Sequence, residues 1–167
     1  VVTLPEEVEN DGVTYRVTQI QENAFSYCPN LASIELSNSI QWIGECAFCH
    51  CENLESVAIS ESVEKIENNI FSASTLLTTL EVEGNNSYYQ AKDGILYTKD
   101  GKELIECING IDTVSILESV EYIHKAAFEN CVNLTSIKIP DLVTALNGYT
   151  FSYCISLTEI KLPKSLK

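Results

Sequence analysis

The chain has 167 residues, 45% hydrophobic and 20% charged, which suffices for one domain with its own core and excludes a disordered tail. Its formal net charge of −14 repels phosphate backbones and anionic headgroups, so nucleic acid and membrane surfaces are not expected partners. No apolar run approaches the ~18 residues that span a bilayer, and no membrane insertion is expected of these residues.

The acidity is uneven. Residues 1–85 carry Arg16 and Lys65 against 14 acidic side chains, a net of −12, whereas residues 86–167 carry 8 Lys against 10 acidic side chains, a net of −2. Electrostatic steering of a partner would therefore differ between the two ends. With no Met anywhere and patterned sequence at both ends, the chain reads as a fragment of a longer protein.

Residues 1–16 hold Val1-Val2-Thr3-Leu4-Pro5 and then Asn10-Asp11-Gly12 before a second apolar run, Val13 to Val17. An end strand or hairpin capping the first repeat is expected, because a stacked array needs covered ends.

From residue 17 a frame repeats. Residues 17–39 read VTQIQENAFSYCPNLASIELSNS and residues 40–62 read IQWIGECAFCHCENLESVAISES; a weaker copy, VEKIENNIFSASTLLTTLEVEGN, fills 63–85. Residues 120–142 (VEYIHKAAFENCVNLTSIKIPDL) and 143–165 (VTALNGYTFSYCISLTEIKLPKS) return to it, and each unit is 23 residues long. In all five, Phe is followed by apolar residues at +6, +9 and +11, as Phe25 is by Leu31, Ile34 and Leu36. A fixed period of 20–29 residues with Leu-x-x-Ile-x-Leu marks a leucine-rich solenoid, in which no repeat buries its own apolar face and stacking is obligatory. The Ile34-x-Leu36 alternation gives short parallel strands whose intervening residues face outward. The segment around each Phe is too short for a long helix, and one or two helical turns are expected on the convex side.

Between the third and fourth clear repeats lie residues 86–119. Ile95–Thr98 and Glu103–Glu106 flank Lys99-Asp100-Gly101-Lys102, which predicts a β-hairpin closed by a tight type I′ turn at Asp-Gly. Val114 to Ser119 matches Ile34 to Ser39 and is expected to rejoin the solenoid sheet.

With these residues aligned, the chain resembles the BspA-like leucine-rich repeat proteins, whose unit reads approximately Val-x-x-Ile-Gly-x-x-Ala-Phe-x-x-Cys-x-x-Leu-x-x-Ile-x-Leu-Pro-x-Ser. The match covers about nine tenths of the chain and is fullest in the second repeat: Ile43, Gly44, Ala47, Phe48, Cys51, Leu54, Val57, Ile59 and Ser62. The Gly position becomes Gln21, Glu67, His124 and Asn147 elsewhere, and the Pro after the strand survives only as Pro140 and Pro163. The predicted fold is an α/β solenoid: a right-handed superhelix with a parallel sheet on one face, short helical turns on the other, and an inserted hairpin. Its expected organisation is a cap over 1–16, three repeats over 17–85, a hairpin insertion over 86–119 and two repeats over 120–167, all in one domain. The resemblance further implies a cell-surface or secreted protein that mediates adhesion or host contact.

The stretch Cys46-Ala47-Phe48-Cys49-His50-Cys51 invites a metal reading. The period divides it. Cys28, Cys51, Cys131 and Cys154 all stand three residues after a repeat Phe, where reduced Cys packs as a small hydrophobe. Cys46 and Cys49 occupy variable slots expected near the surface, as does His50, and a lone Cys-x2-Cys pair with no second pair is half a zinc site. Seven cysteines give no disulfide framework. No metal, cofactor or catalytic residue is predicted; Cys49 with His124 is a conceivable nucleophile–base pair that no spacing specifies, and both histidines are expected to be solvated. Asn30, Asn53 and Asn133 are placed to bond turn backbone, and Asn85 fits the N-glycosylation pattern.

The expected binding surface is the outward row of the strands: Ser33 and Glu35, Ala58, Thr79 and Glu81, Ser136 and Lys138, Glu159 and Lys161, with Ser60 also counted outward. It runs from acidic in the first and third repeats to basic in the last two. A protein or glycan ligand, including a host extracellular protein, is the expected partner. The alternative is a structural stalk that binds nothing of its own.

Overall fold

The computed structural model describes residues 1–167. Its strands are β1 (Val2–Thr3), β2 (Glu7–Asn10), β3 (Val13–Arg16), β4 (Gln19–Ile20), β5 (Ser33–Glu35), β6 (Trp42–Ile43), β7 (Ser56–Ile59), β8 (Lys65–Ile66), β9 (Thr79–Val82), β10 (Tyr89–Lys92), β11 (Ile95–Thr98), β12 (Glu103–Cys107), β13 (Tyr122–Ile123), β14 (Ser136–Lys138) and β15 (Glu159–Lys161). They wind a β-solenoid of about six turns. Two strands per coil make two parallel walls.

The first wall is the sheet β1-β5-β7-β9, in which Ile34, Val57 and Leu80 stack in register and point inward. Alternation does this: the residue on either side of each buried one faces solvent. The second wall is β4-β6-β8, where Ile20, Ile43 and Ile66 align. The third wall has no regular strand and no helix. The expected helical turns are replaced by runs of reverse turns, such as residues 22–27 and 45–50. In these runs Asn23 and Tyr27, then Cys46 and His50, then Asn69 and Ala73, have φ between 56° and 63° except Cys46 at 53°. A left-handed residue at every fourth position prevents a right-handed helix from propagating. These costly conformations free alternate backbone groups for bonds between coils: Phe25 N donates to Ala47 O (2.9 Å), and Phe48 N to Ile70 O (2.9 Å). The turns are thereby held as firmly as a sheet.

Inside, the repeat phenylalanines stack, Phe25 on Phe48 at 5.6 Å and Phe48 on Phe71 at 5.9 Å, with Phe128 on Phe151 at 5.4 Å further along. The core divides into a cluster of 21 buried residues in the first half and one of 14 in the second. The divide falls at the aberrant unit.

That unit is a three-stranded antiparallel meander, β10-β11-β12, of which the sequence pattern predicts only the second hairpin. The Asp-Gly signal is correct at Asp93-Gly94 (φ 51° and 73°), which joins β10 to β11, and at Asp11-Gly12 (51° and 75°), which joins β2 to β3. At Asp100-Gly101 the type I′ expectation fails. Only Gly101 has positive φ, and its N–H bonds Thr98 O at 2.9 Å across a longer loop. Asp100 is occupied differently, its carboxylate accepting from Thr98 Oγ1 (2.7 Å) and Lys102 N (3.1 Å).

Strand β12 then pairs in parallel with β13, so residues 102–119 complete a shortened coil instead of a free insertion. The predicted return of Val114 to Ser119 to the sheet is reduced to one parallel bridge, Thr113 to Ser136, in the expected register. At the N-terminus β1 extends the first wall, whereas the β2–β3 hairpin is exposed along its whole length and covers nothing.

Candidate functional site

On the first wall the outward side chains form two straight rows. Ser33, Ser56 and Thr79 are partners in one, and Glu35, Ala58 and Glu81 in the next. Small residues between the carboxylates leave a shallow depression of about 330 Å3, bordered at one end by Val1. Thr3 Oγ1 donates to Glu35 Oε2 at 3.0 Å. No cation pairs with Glu35 or Glu81.

Beyond the meander the wall resumes as β14-β15, with Ser136 beside Glu159 and Lys138 beside Lys161. A second depression, of about 210 Å3, is lined by these four with Val114 and Ile137. The predicted change from acidic to basic is only partial. Lys138 Nζ lies 2.7 Å from Glu118 and Lys161 Nζ 3.5 Å from Glu159, so each lysine carries its own counter-charge. Glu118 holds the Lys138 ammonium above its usual range. The face thus runs from acidic to balanced, and the meander separates its two parts. Ser60 is a further correction: it is 1% exposed and turns its hydroxyl toward Ser37 O.

The cysteines are all free. At the recurring position the thiol is more than a small hydrophobe. Cys51 Sγ donates to Phe25 O and Cys154 Sγ to Phe128 O, both at 3.0 Å, and in the third repeat Ser74 Oγ donates to Phe48 O at 2.7 Å. A donor is required there to satisfy the carbonyl of the preceding coil's Phe. That explains how Ser substitutes.

Cys49 departs from expectation: it is 2% exposed, because its variable slot turns inward under the third repeat, where Sγ donates to Asn69 O at 3.1 Å. Cys46 is half-buried, and His50 is exposed with its ring stacked on Tyr27 at 4.4 Å. His124 is not a solvated side chain. Its Nε2 lies 2.8 Å from Glu103 and its Nδ1 3.0 Å from Asn68 Oδ1, which ties the third repeat, the meander and the fourth repeat together and leaves nothing for Cys49. Cys107 is buried and occupies the slot of a repeat Phe, receiving the Cys131 thiol at its carbonyl (3.8 Å). No group of three or more His, Cys, Asp or Glu side chains is arranged to hold a metal ion.

The BspA type leucine rich repeat region matches six times, over residues 7–93 and 101–167. The chain belongs to this family. Among solved structures, the pneumococcal vaccine antigen PcpA is similar at 19% identity with a TM-score of 0.65, over 99% of this chain and 61% of that one. A T. pallidum leucine rich repeat protein is similar at 24% identity (TM-score 0.59, 98% and 70%), and a leucine-rich repeat protein from Bacteroides ovatus at 26% (0.57, 99% and 46%). The chain therefore spans less than two thirds of the pneumococcal and B. ovatus chains. No curated protein matches it.

The BspA-type frame also explains residues that a reading by repeats overlooks. Ser39, Ser62 and Ser165 donate to the first carbonyl of their own unit, Val17, Ile40 and Val143, at 2.6–2.7 Å. In the third unit buried Asn86 takes over, donating to Ser60 O and Val63 O and accepting from Tyr88 N and Tyr89 N. Of the three asparagines expected to bond turn backbone, Asn53 does so, to Pro29 O at 2.6 Å, and Asn30 and Asn133 do not.

Glu106 is the least expected residue. It is 3% exposed, and its two oxygens accept from Ile70 N (2.7 Å) and Phe71 N (2.9 Å). Burial outweighs those bonds and pushes its carboxyl up to about 8.

Proposed function

We propose that this chain is a non-catalytic binding module of a cell-surface or secreted protein, and that the outward rows of the first wall contact a protein or glycan ligand. The observation that carries the reading is the in-register pair of rows, Ser33-Ser56-Thr79 and Glu35-Ala58-Glu81. Small, rigidly spaced side chains between unpaired carboxylates offer an extended ligand close contact with the sheet and a fixed charge spacing. Such a face suits a segment bearing cations. Family membership supports the surface location, and the description of the pneumococcal neighbour as a vaccine antigen accords with it.

No large aromatic stands in these rows, so each coil contributes little and affinity comes from several coils engaged together. The test is capture of extracellular matrix proteins and glycans on the immobilised chain. A double variant, Glu35→Lys with Glu81→Lys, is expected to weaken the best ligand by roughly tenfold or more. Lys138→Glu with Lys161→Glu is expected to change it less. Capture unaltered by either pair would favour the stalk reading.

A further inference from the structure

Cys46 and Cys49 stand outside both the strand face and the repeat frame. Their counterparts are Asn23 and Ser26 in the first repeat and Asn69 and Ser72 in the third, so the fold does not require cysteine at either place. Cys49 N donates to Cys46 O at 3.2 Å, which closes a reverse turn. Such a turn brings its first and fourth Cα atoms within about 7 Å, overlapping the roughly 4.4–6.8 Å span of disulfides. Both side chains meet Asn69, Cys49 Sγ donating to its carbonyl (3.1 Å) and Cys46 Sγ lying 3.9 Å from its Nδ2. The thiols therefore share one small site. One of them is reachable from solvent and the other is not.

We propose that Cys46 and Cys49 form a reversible dithiol–disulfide site for small-molecule disulfides, with Cys46 as the attacking thiol and Cys49 as the resolving thiol. In the first step the Cys46 thiolate attacks one sulfur of R–S–S–R. A Cys46–S–R bond forms, the R–S–S–R bond breaks, and one RS⁻ leaves and takes up a proton. In the second step Cys49, having lost its proton, attacks Cys46 Sγ. The Cys46–Cys49 bond forms and the second RS⁻ leaves. Two protein thiols give up two electrons and two protons, and one disulfide becomes two thiols.

The electrostatics divide the roles in the same sense. The neighbouring Cys49 side chain lowers the Cys46 thiol, against burial and the charges of Glu45, Glu129 and Glu22. The same contact, burial and the nearby Glu106 raise Cys49, with only a Ser72 backbone bond opposing. The other thiols lack this combination. Cys51, Cys107 and Cys131 are buried, Cys28 and Cys154 are half-buried, and burial holds Cys154 up at about 12.

The test uses the intact chain treated with oxidised glutathione, then unfolded in denaturant, alkylated with iodoacetamide and mapped by mass spectrometry. The expected product joins Cys46 to Cys49, leaves the other five cysteines alkylated, and reverts with dithiothreitol. Without oxidant, Cys46 is expected to alkylate roughly tenfold faster than Cys154. Cys49→Ser is expected to retain one glutathionyl group on Cys46. The proposal is overturned if the untouched chain forms no link between the two under excess oxidised glutathione, or if Cys49→Ser carries glutathione on Cys28 or Cys154 as readily as on Cys46. The wild-type map and the alkylation ratio hold even if a variant misfolds.

Discussion

In residues 17–85 each coil is bound to the next by backbone hydrogen bonds along three walls: β5-β7-β9 on the first, β4-β6-β8 on the second, and the turn ladder Phe25-Ala47 and Phe48-Ile70 on the third. Where this block meets the shortened coil of 102–119, side chains and a stray backbone group take over. Ile66 N donates to the Tyr89 hydroxyl (2.9 Å) on the second wall, Ile70 N and Phe71 N to Glu106 on the third, and Gly110 N reaches Leu77 O (3.0 Å) near the first. After it, the turn ladder resumes with Phe128 N on Thr150 O at 3.0 Å. A coil of standard length matches its neighbour's backbone group for group. A short one leaves orphan N–H groups that require other acceptors, because an unpaired buried N–H costs about 1–3 kcal/mol.

The sharpest way to break the regular block is Phe48→Ala. Phe48 is fully buried between two stacked rings, and its loss is expected to cost about 3–5 kcal/mol in denaturant unfolding. Phe151, half-buried with one stacked partner, is expected to cost roughly half as much when truncated. Equal losses would mean that the two blocks do not differ in packing.

The junction is probed through pH. The Glu106 carboxyl titrates at about 8 in the folded chain against an ordinary 4.5, so the folded state keeps a proton that the unfolded chain releases between those values. Stability is therefore fullest below pH 4.5 and is lost as pH rises toward 8, at about 1 kcal/mol per pH unit from this group. Urea midpoints at pH 5 and pH 8 are expected to show that slope in the native chain and to lose most of it in Glu106→Gln. A native midpoint that rises over this interval would contradict the assignment.

Gly110→Ala gives a smaller effect. A Cβ there would stand 2.4 Å from Leu77 O, backbone that cannot step aside, and about 1–3 kcal/mol is expected. Gly148→Ala, with nothing within 4 Å, serves as the control and is expected to stay within about 0.5 kcal/mol. Smallest of all is the stability effect of Lys138→Glu. Its exposed pair with Glu118 predicts a change of under about 1 kcal/mol, so any larger change in ligand capture reports the face itself.

Much of the wall that presents the candidate site is readable from residue order. Ile34, Val57 and Leu80 point inward and Glu35, Ala58 and Glu81 outward because strand alternation is local and a solenoid repeats it. The turn wall is not readable in the same way. Asn23 has some intrinsic preference for the left-handed region, but nothing about Cys46 or Tyr149 marks them for it; they adopt that conformation because the ladder between coils compensates for it. Nor is Glu106 recognisable as buried, since it sits among carboxylates that elsewhere in the chain face solvent. The signal available was the missing Phe in its unit, where Cys107 stands.

The recurring 23-residue spacing of Phe, Leu, Ile and Cys by itself determined a stacked β architecture and its inward rows, because each coil repeats the same local alternation against a copy of itself. Tertiary structure alone decided what happens where the copies differ. The half-exposed Cys46 and buried Cys49 beneath Asn69, the paired lysines of the last coils and the carboxyl group beneath Ile70 all depend on the length of the neighbouring coil and on which backbone groups it leaves unbonded.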